Sequence, residues 1–576
     1  MRRLFIISDL HLGGRPDQRD ESGALKPGFQ ICNSYPELIS FLDWLSTSGR
    51  ESDEEELELV VNGDIVDFLA EDDFGEALSG AQIWTIKDED AVTKLNCISE
   101  RTRGSDGRGV FDAMKDFLAA GHRLTLLLGN HDVELSLPAV RGRLAELLGG
   151  EKPRLRFIYD GEAYTVGRVL IEHGNRYDRW NMIGYSGLRQ ERSVRSRKLP
   201  VNEAEREDRY FIPPAGTYIV IHFMNRIKSL YRFIDLLKPE DNSMIPLLLA
   251  LEPKRRKHLK EILNASPVIR NYVRHGLRTP VVPKDSGDLE ARRQAEREIT
   301  LGEILRQTLG EDAKYFGDVD KEEGAGDMSI GRDPAYEDDI SDVARRDAGG
   351  IEGEDMSIRS KARAAKKAVS GAFDWFGTRF KQFKERATSA SHALGLFVSA
   401  DNPEQQPLQL YAALKHLNRN DRSFDIEFEH ANYFDAAAET AARGDFDVVV
   451  YGHTHLPKKK PLSTPGPGPA SALDHPRWYL NTGTWCDVIR LPDAVTGDYQ
   501  HAEQALKEFA AALRRNDYGK YVRRYLSFVE MVVDPSGGRL VDDPNLYSYC
   551  GPGRERSSPL SDILERKEMG HEESDG

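Results

Sequence analysis

Five short polar signatures, each following an apolar run, stand out in this chain: Ser8-Asp9-Leu10-His11, Gly63-Asp64-Ile65-Val66-Asp67, Gly129-Asn130-His131-Asp132, His173-Gly174-Asn175 and Gly452-His453-Thr454-His455. Carboxylate, imidazole and amide donors of this kind are ligands for divalent cations. Two cations held ~3.5–4 Å apart need a carboxylate short enough to touch both. Asp64 is suited to that bridge. Mixed carboxylate and imidazole donors favour Mn2+, Fe or Zn2+ over Mg2+. Singly, each signature has a plainer reading as a turn beside a histidine, since Gly and Asn tolerate left-handed dihedrals. All five in order, each behind a strand-like run, point instead to one metal-binding edge.

Those runs are Leu4-Phe5-Ile6-Ile7, Leu57 to Val61, Leu124 to Leu128, Val169-Leu170-Ile171 and Val448-Val449-Val450. Leucine-rich and β-branched stretches bounded by Gly, Asn or Asp predict buried strands, so the polar residues fall where strands end. Helical spacing links Leu38, Phe41, Leu42 and Leu45, then Val110, Met114, Phe117 and Leu118, giving a βαβαβ start. A helix-like Val140 to Leu148 precedes short strands at Leu155–Tyr159, Ala163–Val166 and Val169–Ile171. Later strands are expected at Val448–Tyr451, Trp478–Leu480 and Phe528–Val533. The fold class is α/β, with the late strands forming a second sheet.

The order Asp-x-His, Gly-Asp-x-x-Asp, Gly-Asn-His-Asp, His-Gly, Gly-His-x-His resembles the calcineurin-like metallophosphoesterase superfamily. The resemblance implies a β-sandwich flanked by helices (αββα) with a large, mainly helical insertion. It also implies that Asp9, His11, Asp64 and His455 hold one metal ion, and that Asp64, Asn130, His173 and His453 hold the other. His131 would lie beside the substrate phosphoryl group, oriented by Asp67. The expected cofactor is a pair of divalent ions, first of all Mn2+, with Fe or Zn2+ as alternatives. The expected reaction is attack on phosphorus by a metal-bridging hydroxide.

At 576 residues the chain exceeds an average domain, yet its signatures span residues 9 to 455. Four lie within residues 9 to 175 and the fifth arrives roughly 280 positions later, too far for a structureless loop. The expected core is therefore discontinuous, 1–175 and 431–550, with a helical cap at 176–430 and a disordered tail at 551–576. Within the cap, residues 218–237 are apolar but carry Arg226, Lys228 and Arg232, which predicts an amphipathic helix. Residues 311–355 hold sixteen acidic and five basic side chains, a composition that stays disordered. Over 359–390 the sign reverses, and Val369, Phe373, Phe376, Phe380 and Phe383 recur at helical steps. Such a basic amphipathic helix either touches a membrane surface peripherally or lays its Phe face on the cap.

A net charge of −16 provides no global attraction for nucleic acid or anionic lipid. Cys32, Cys97, Cys486 and Cys550 lack metal-type or redox-type spacing, which fits a reducing compartment. The short apolar run after Met1-Arg2-Arg3 reads as a strand rather than a signal peptide, and no span of ~20 apolar residues is present. A cytoplasmic location, with peripheral contact at the membrane through 359–390, is the expectation.

The segment from Leu124 through His173, and Gly-His-Thr-His followed by Trp478-Tyr479-Leu480-Asn481-Thr482-Gly483-Thr484-Trp485, resemble UDP-diacylglucosamine diphosphatases. That branch has Arg where this chain has His131, and a far shorter insertion. The expected enzyme is a phosphoesterase or pyrophosphatase acting on a phosphorylated small molecule or lipid-linked substrate. The alternative is a nuclease, for which the basic runs Lys254–Lys257 and Lys458–Lys460 could track phosphates. A third reading is a non-catalytic interaction scaffold on the same fold.

Overall fold

In a computed structural model, the described residues are 1–14, 29–48, 56–70, 85, 87–150, 153–178, 181–199, 422–462, 476–496, 499–534 and 536–554. Short pieces are also described at 18–19, 25–26, 211–214, 216–217, 220–221, 225–228, 232–238 and 414. The acidic segment 311–355, the basic helix expected at 359–390, the run Lys254–Lys257 and most of the 551–576 tail lie outside these residues.

The protein is a mixed α/β structure. Strands β1 (Arg2–Ile7), β2 (Glu56–Asn62), β3 (Arg123–Leu127) and β4 (Leu155–Ile158) run parallel, in that order. Strands β10 (Ser527–Val533) and β11 (Asn545–Ser548) extend the β1 edge antiparallel. A second sheet has the order β8 (Pro457–Leu462), β9 (Arg477–Thr482), β7 (Val448–Tyr451), β6 (Val169–Ile171) and β5 (Tyr164–Val166).

Alternation along the strands explains the layers. Leu4, Ile6 and Val60 of the first sheet and Val169, Ile171, Val448, Val450 and Leu480 of the second share one buried cluster. The intervening Phe5 turns the other way and meets Trp44 edge-on at 5.7 Å. Trp44 belongs to helix α1 (Tyr35–Ser48), whose Leu38, Phe41, Leu42 and Leu45 are fully buried. Truncating a buried ring such as Phe41 to Ala costs ~3–5 kcal/mol. On the second sheet, Val449, Tyr451 and Tyr479 meet Tyr433, Ala437 and Ala441 of helix α6 (Ala431–Gly444). These recur every fourth residue, which puts them on one helix face. Helices α2 (Asp88–Arg101), α3 (Val110–Ala119), α4 (Pro138–Leu147), α5 (Tyr185–Ser196) and α7 (Tyr499–Arg515) complete the numbered helices.

By packing, the chain divides into Met1–Met244 with Leu417–Gly576 and a second unit, Ile245–His416, nearly all of it outside the described residues. Helix α5 is joined to the first unit by ion pairs, Arg192 with Asp160 just beyond β4 and Arg195 with Asp88 of α2 at 2.6 Å.

Two expectations are corrected. The apolar segment 218–237 is not one amphipathic helix: among its described residues, 220–221 and Asn225–Lys228 are helical, but residues 232–236 turn, and Leu237–Lys238 pairs in parallel with Ile489–Arg490. Nor is Lys458–Lys460 an open phosphate track. Lys458 is buried in edge strand β8 and donates from Nζ to the Ser423 and Asp425 carbonyls. Lys459 and Lys460 lie over the rings of Trp478 and Phe434. Among the described residues, no helix is long and apolar enough to cross a membrane.

Candidate metal centre

The pairing of β1 with β2 continues beyond both strands, and this brings the first two signatures side by side. Asp9 N donates to Gly63 O at 3.1 Å, and His11 N to Asp64 O at 2.9 Å. From the second sheet, Gly452 N donates to His173 O at 2.9 Å, so the last two signatures are also neighbours. Asn62 Nδ2 donates to Glu172 O at 2.9 Å across the gap between the sheets.

The chain turns sharply beyond β1, β2 and β7. Asp9, His11, Asp64, His453 and His455 all have positive φ, from 42° to 69°; they are five of the nine non-glycine residues in that state among those described. Each such residue costs ~1–3 kcal/mol and persists only where surroundings over-determine it. Here they do: the Asp9 carboxylate accepts His453 N at 2.9 Å, and its carbonyl accepts Thr484 Oγ1 at 2.6 Å.

Close approach also explains two signature glycines. A Cβ on Gly129 would coincide with the Asp64 carboxylate, and one on Gly452 would lie 2.5 Å from Ser8 Oγ and 2.7 Å from Asp9 Oδ2. The glycines leave room for ligand carboxylates arriving from other loops.

The expected ligands converge around Asp64. Its Oδ2 lies 3.2 Å from His173 Nε2 and 3.7 Å from His11 Nε2, while Oδ1 accepts His131 N at 2.8 Å. On the His11 side, His455 Nε2 lies 3.0 Å from His11 Nε2 and 3.4 Å from Asp9 Oδ1. On the other side, ligand atoms of Asp64, His173 and His453 fall within 4.8 Å of one another; so do those of Asp9, His11 and His455. Asp64 thus stands between two histidine groups. Asn130 is buried next to His131, its Oδ1 without a hydrogen-bond partner.

His131 and Asp67 form a pair beside this centre. His131 Nδ1 lies 3.2 Å from Asp67 Oδ1, which also accepts Leu69 N and Ala70 N at 3.0 and 3.1 Å. Asp67 is buried, whereas 17% of the His131 side chain is exposed. His131 is therefore the reachable member of the pair.

The electrostatics follow from this crowding. Burial alone raises the Asp9 carboxyl, but His173 and His455 outweigh it and hold it at about 2. Burial likewise opposes ionisation of Asp64 and Asp67, and positive charge on His173 and His131 for the first, and on His131 for the second, brings both well below the usual range. Against burial, Asp67 and Asp64 raise His131 to about 9, and Asp64 raises His173 to about 10. Burial, reinforced by Lys238, pushes His455 down to about 3.

The donor set fits a pair of divalent cations. Buried carboxylates concentrate negative charge that His173 and His131 balance in the protein alone. Asn130 Oδ1 is buried without a hydrogen bond, an arrangement costing ~1–3 kcal/mol unless something satisfies it. His173 Nδ1 bonds the Asn62 carbonyl at 2.8 Å, leaving Nε2 as its ligand atom.

Sequence reasoning missed the supporting roles of two residues. Asp132 accepts Gly129 N and Ile65 N, both at 2.7 Å, and so clamps two ligand loops together. Burial and the nearby Asp64 push its carboxyl up to about 8. Its place in Gly-Asn-His-Asp was visible, and an Asp that closes a turn onto backbone N–H groups is a familiar role. Asp178, whose Oδ2 lies 3.0 Å from His453 Nε2, carries no such signal. No protein-family model and no curated protein matches the chain.

Proposed function

We propose that this chain is a metal-dependent phosphoesterase of the calcineurin-like metallophosphoesterase type, its two sheets and outer helices forming that family's αββα sandwich and the segment between its core pieces a helical insertion. One observation carries the reading: a single buried carboxylate, Asp64, stands between two histidine groups, with the His131–Asp67 pair beside it. Asp9, His11, Asp64 and His455 would hold one cation, and Asp64, Asn130, His173 and His453 the other. The chemistry such ions supply is activation of water at neutral pH and neutralisation of phosphoryl oxygen charge.

The chain's own residues do the rest. Asp67 fixes the ring of His131 through Nδ1, which leaves Nε2 to hydrogen-bond a phosphoryl oxygen or protonate the leaving oxygen. Three acceptor bonds at Asp67 Oδ1 keep that carboxylate from turning away. The substrate class is a phosphorylated small molecule or a lipid-linked phosphate, and Mn2+ is the first metal to supply. The nuclease reading loses the Lys458–Lys460 track, since Lys458 is committed to backbone carbonyls.

The test is a Mn2+-supplemented hydrolysis panel of monoester, diester, nucleotide-sugar pyrophosphate and single-stranded DNA. Turnover of a monoester, diester or pyrophosphate that stops with chelator is the expected result. Turnover of DNA alone would transfer the site to the nuclease reading, and none on any substrate would remove the enzyme reading.

A further inference from the structure

Four histidines are expected at the metal centre, and three of them offer the same ring nitrogen. His173 is committed through Nδ1 to the Asn62 carbonyl at 2.8 Å, which leaves Nε2 free to ligate. His11 and His455 bring their Nε2 atoms within 3.0 Å of each other beside Asp9. His453 differs. Its Nε2 lies 3.0 Å from Asp178 Oδ2, and that oxygen also accepts Asn181 Nδ2 at 2.7 Å.

With Nε2 engaged by the Asp178 carboxyl, Nδ1 is the ring nitrogen of His453 left to ligate. The backbone leaves the ring little other freedom: His453 N is bonded to Asp9 Oδ2 at 2.9 Å, and its φ of 69° is fixed by the turn. What remains to be set is the tautomer and the ring rotation. Asp178 lies outside the five signatures, 275 positions before its partner, in the short turn after His173. The turn's start is set by Gly174, at φ 102°. His173 and Asp178 thus come from one short stretch of chain. One ligates directly and the other acts through a ligand.

We propose that Asp178 is a positioning residue of the metal centre, orienting His453 so that Nδ1 ligates where the other three histidines use Nε2. The proposal rests on the phosphoesterase reading above for its cations. A carboxylate on the distal nitrogen also strengthens the imidazole as a donor, and loss of such a partner typically weakens metal affinity ~10–100-fold.

The test compares wild type, Asp178→Ala and Asp178→Asn by Mn2+ titration calorimetry, metal content after dialysis, and melting of the chelated proteins. The expected result is two strongly bound equivalents for wild type. Asp178→Ala should keep one and bind the second ~10–100-fold more weakly. Asp178→Asn should fall between, because its amide oxygen still accepts the Nε2 proton without the charge. Melting of the chelated variants should match wild type to within a few degrees, separating positioning from folding. Two equivalents at unchanged affinity in Asp178→Ala would overturn the proposal, as would loss of both together with a large drop in melting temperature. A wild type that binds no Mn2+ would instead remove the metal-centre reading on which it rests.

Discussion

Gly129 and Asp64, 65 positions apart in sequence, compete for the same volume: a Cβ on Gly129 would coincide with the Asp64 carboxylate. Gly129→Ala should therefore displace the residue that both halves of the centre share. The expected outcome is loss of tightly bound Mn2+ together with a destabilisation of ~1–3 kcal/mol, the usual scale for overpacking. Metal content and a denaturant melt check it, and wild-type values for both would refute the overlap.

Asp64→Asn tests the shared carboxylate without changing its shape. An amide cannot bridge two cations as a carboxylate does, so bound metal and hydrolysis should both collapse. The two sheets meet through apolar residues such as Leu4, Ile6, Val448 and Val450, none of which depends on Asp64. Far-UV circular dichroism should accordingly keep its wild-type form. Near wild-type turnover would exclude Asp64 as the bridge.

His131→Ala should keep both metal equivalents and lower kcat by ~10²–10⁴-fold, the scale for a general acid or a charge-stabilising donor. It should also alter the pH dependence of stability in the chelated protein. Asp67 and Asp64 raise His131 from 6.5 to about 9 against the effect of burial. Its contribution is then complete below about 6.5 and is lost as pH rises through about 9. Wild type should out-melt the variant by most near pH 6 and by least above pH 9, as read from melts at a series of pH values. A constant gap across that window would show that the pair is not ionised as described.

Lys458→Met separates a structural lysine from a nucleic-acid contact. Removing Nζ leaves the Ser423 and Asp425 carbonyls without their donor, which should cost ~1–3 kcal/mol. Affinity for single-stranded DNA, measured by fluorescence anisotropy, should not change. Unchanged melting with weakened DNA binding would restore the track.

Much of the candidate centre was legible because its residues follow apolar runs that read as buried strands. Val448-Val449-Val450 and Val169-Leu170-Ile171 proved to be neighbours in one sheet, and this alone brings His173 to His453. The helix Asp88–Arg101 escaped notice because its buried face mixes Ala91, Leu95 and Ile98 with Lys94 and Ser99, diluting the apolar period. Lys458–Lys460 misled for the opposite reason: a basic run reads as solvated, and only the fold shows Nζ of Lys458 capping two carbonyls. Asp178 could not have been found, because a lone Asp in a polar stretch becomes informative only once His453 faces it.

The placement of strand Val448–Tyr451 between Val169–Ile171 and Arg477–Thr482 also has a temporal side. A chain emerging from the ribosome displays Asp9, His11, Asp64, Asn130 and His173 early, yet His453 and His455 cannot join them until the strand Val448–Tyr451, which pairs with Val169–Ile171, has been synthesised. Throughout that interval the half-made site exposes carboxylates and imidazoles to whatever metal is at hand. Under the proposed function, selection of the ion would therefore fall to a late stage of folding, when the strained turns at His453 and His455 complete the donor set.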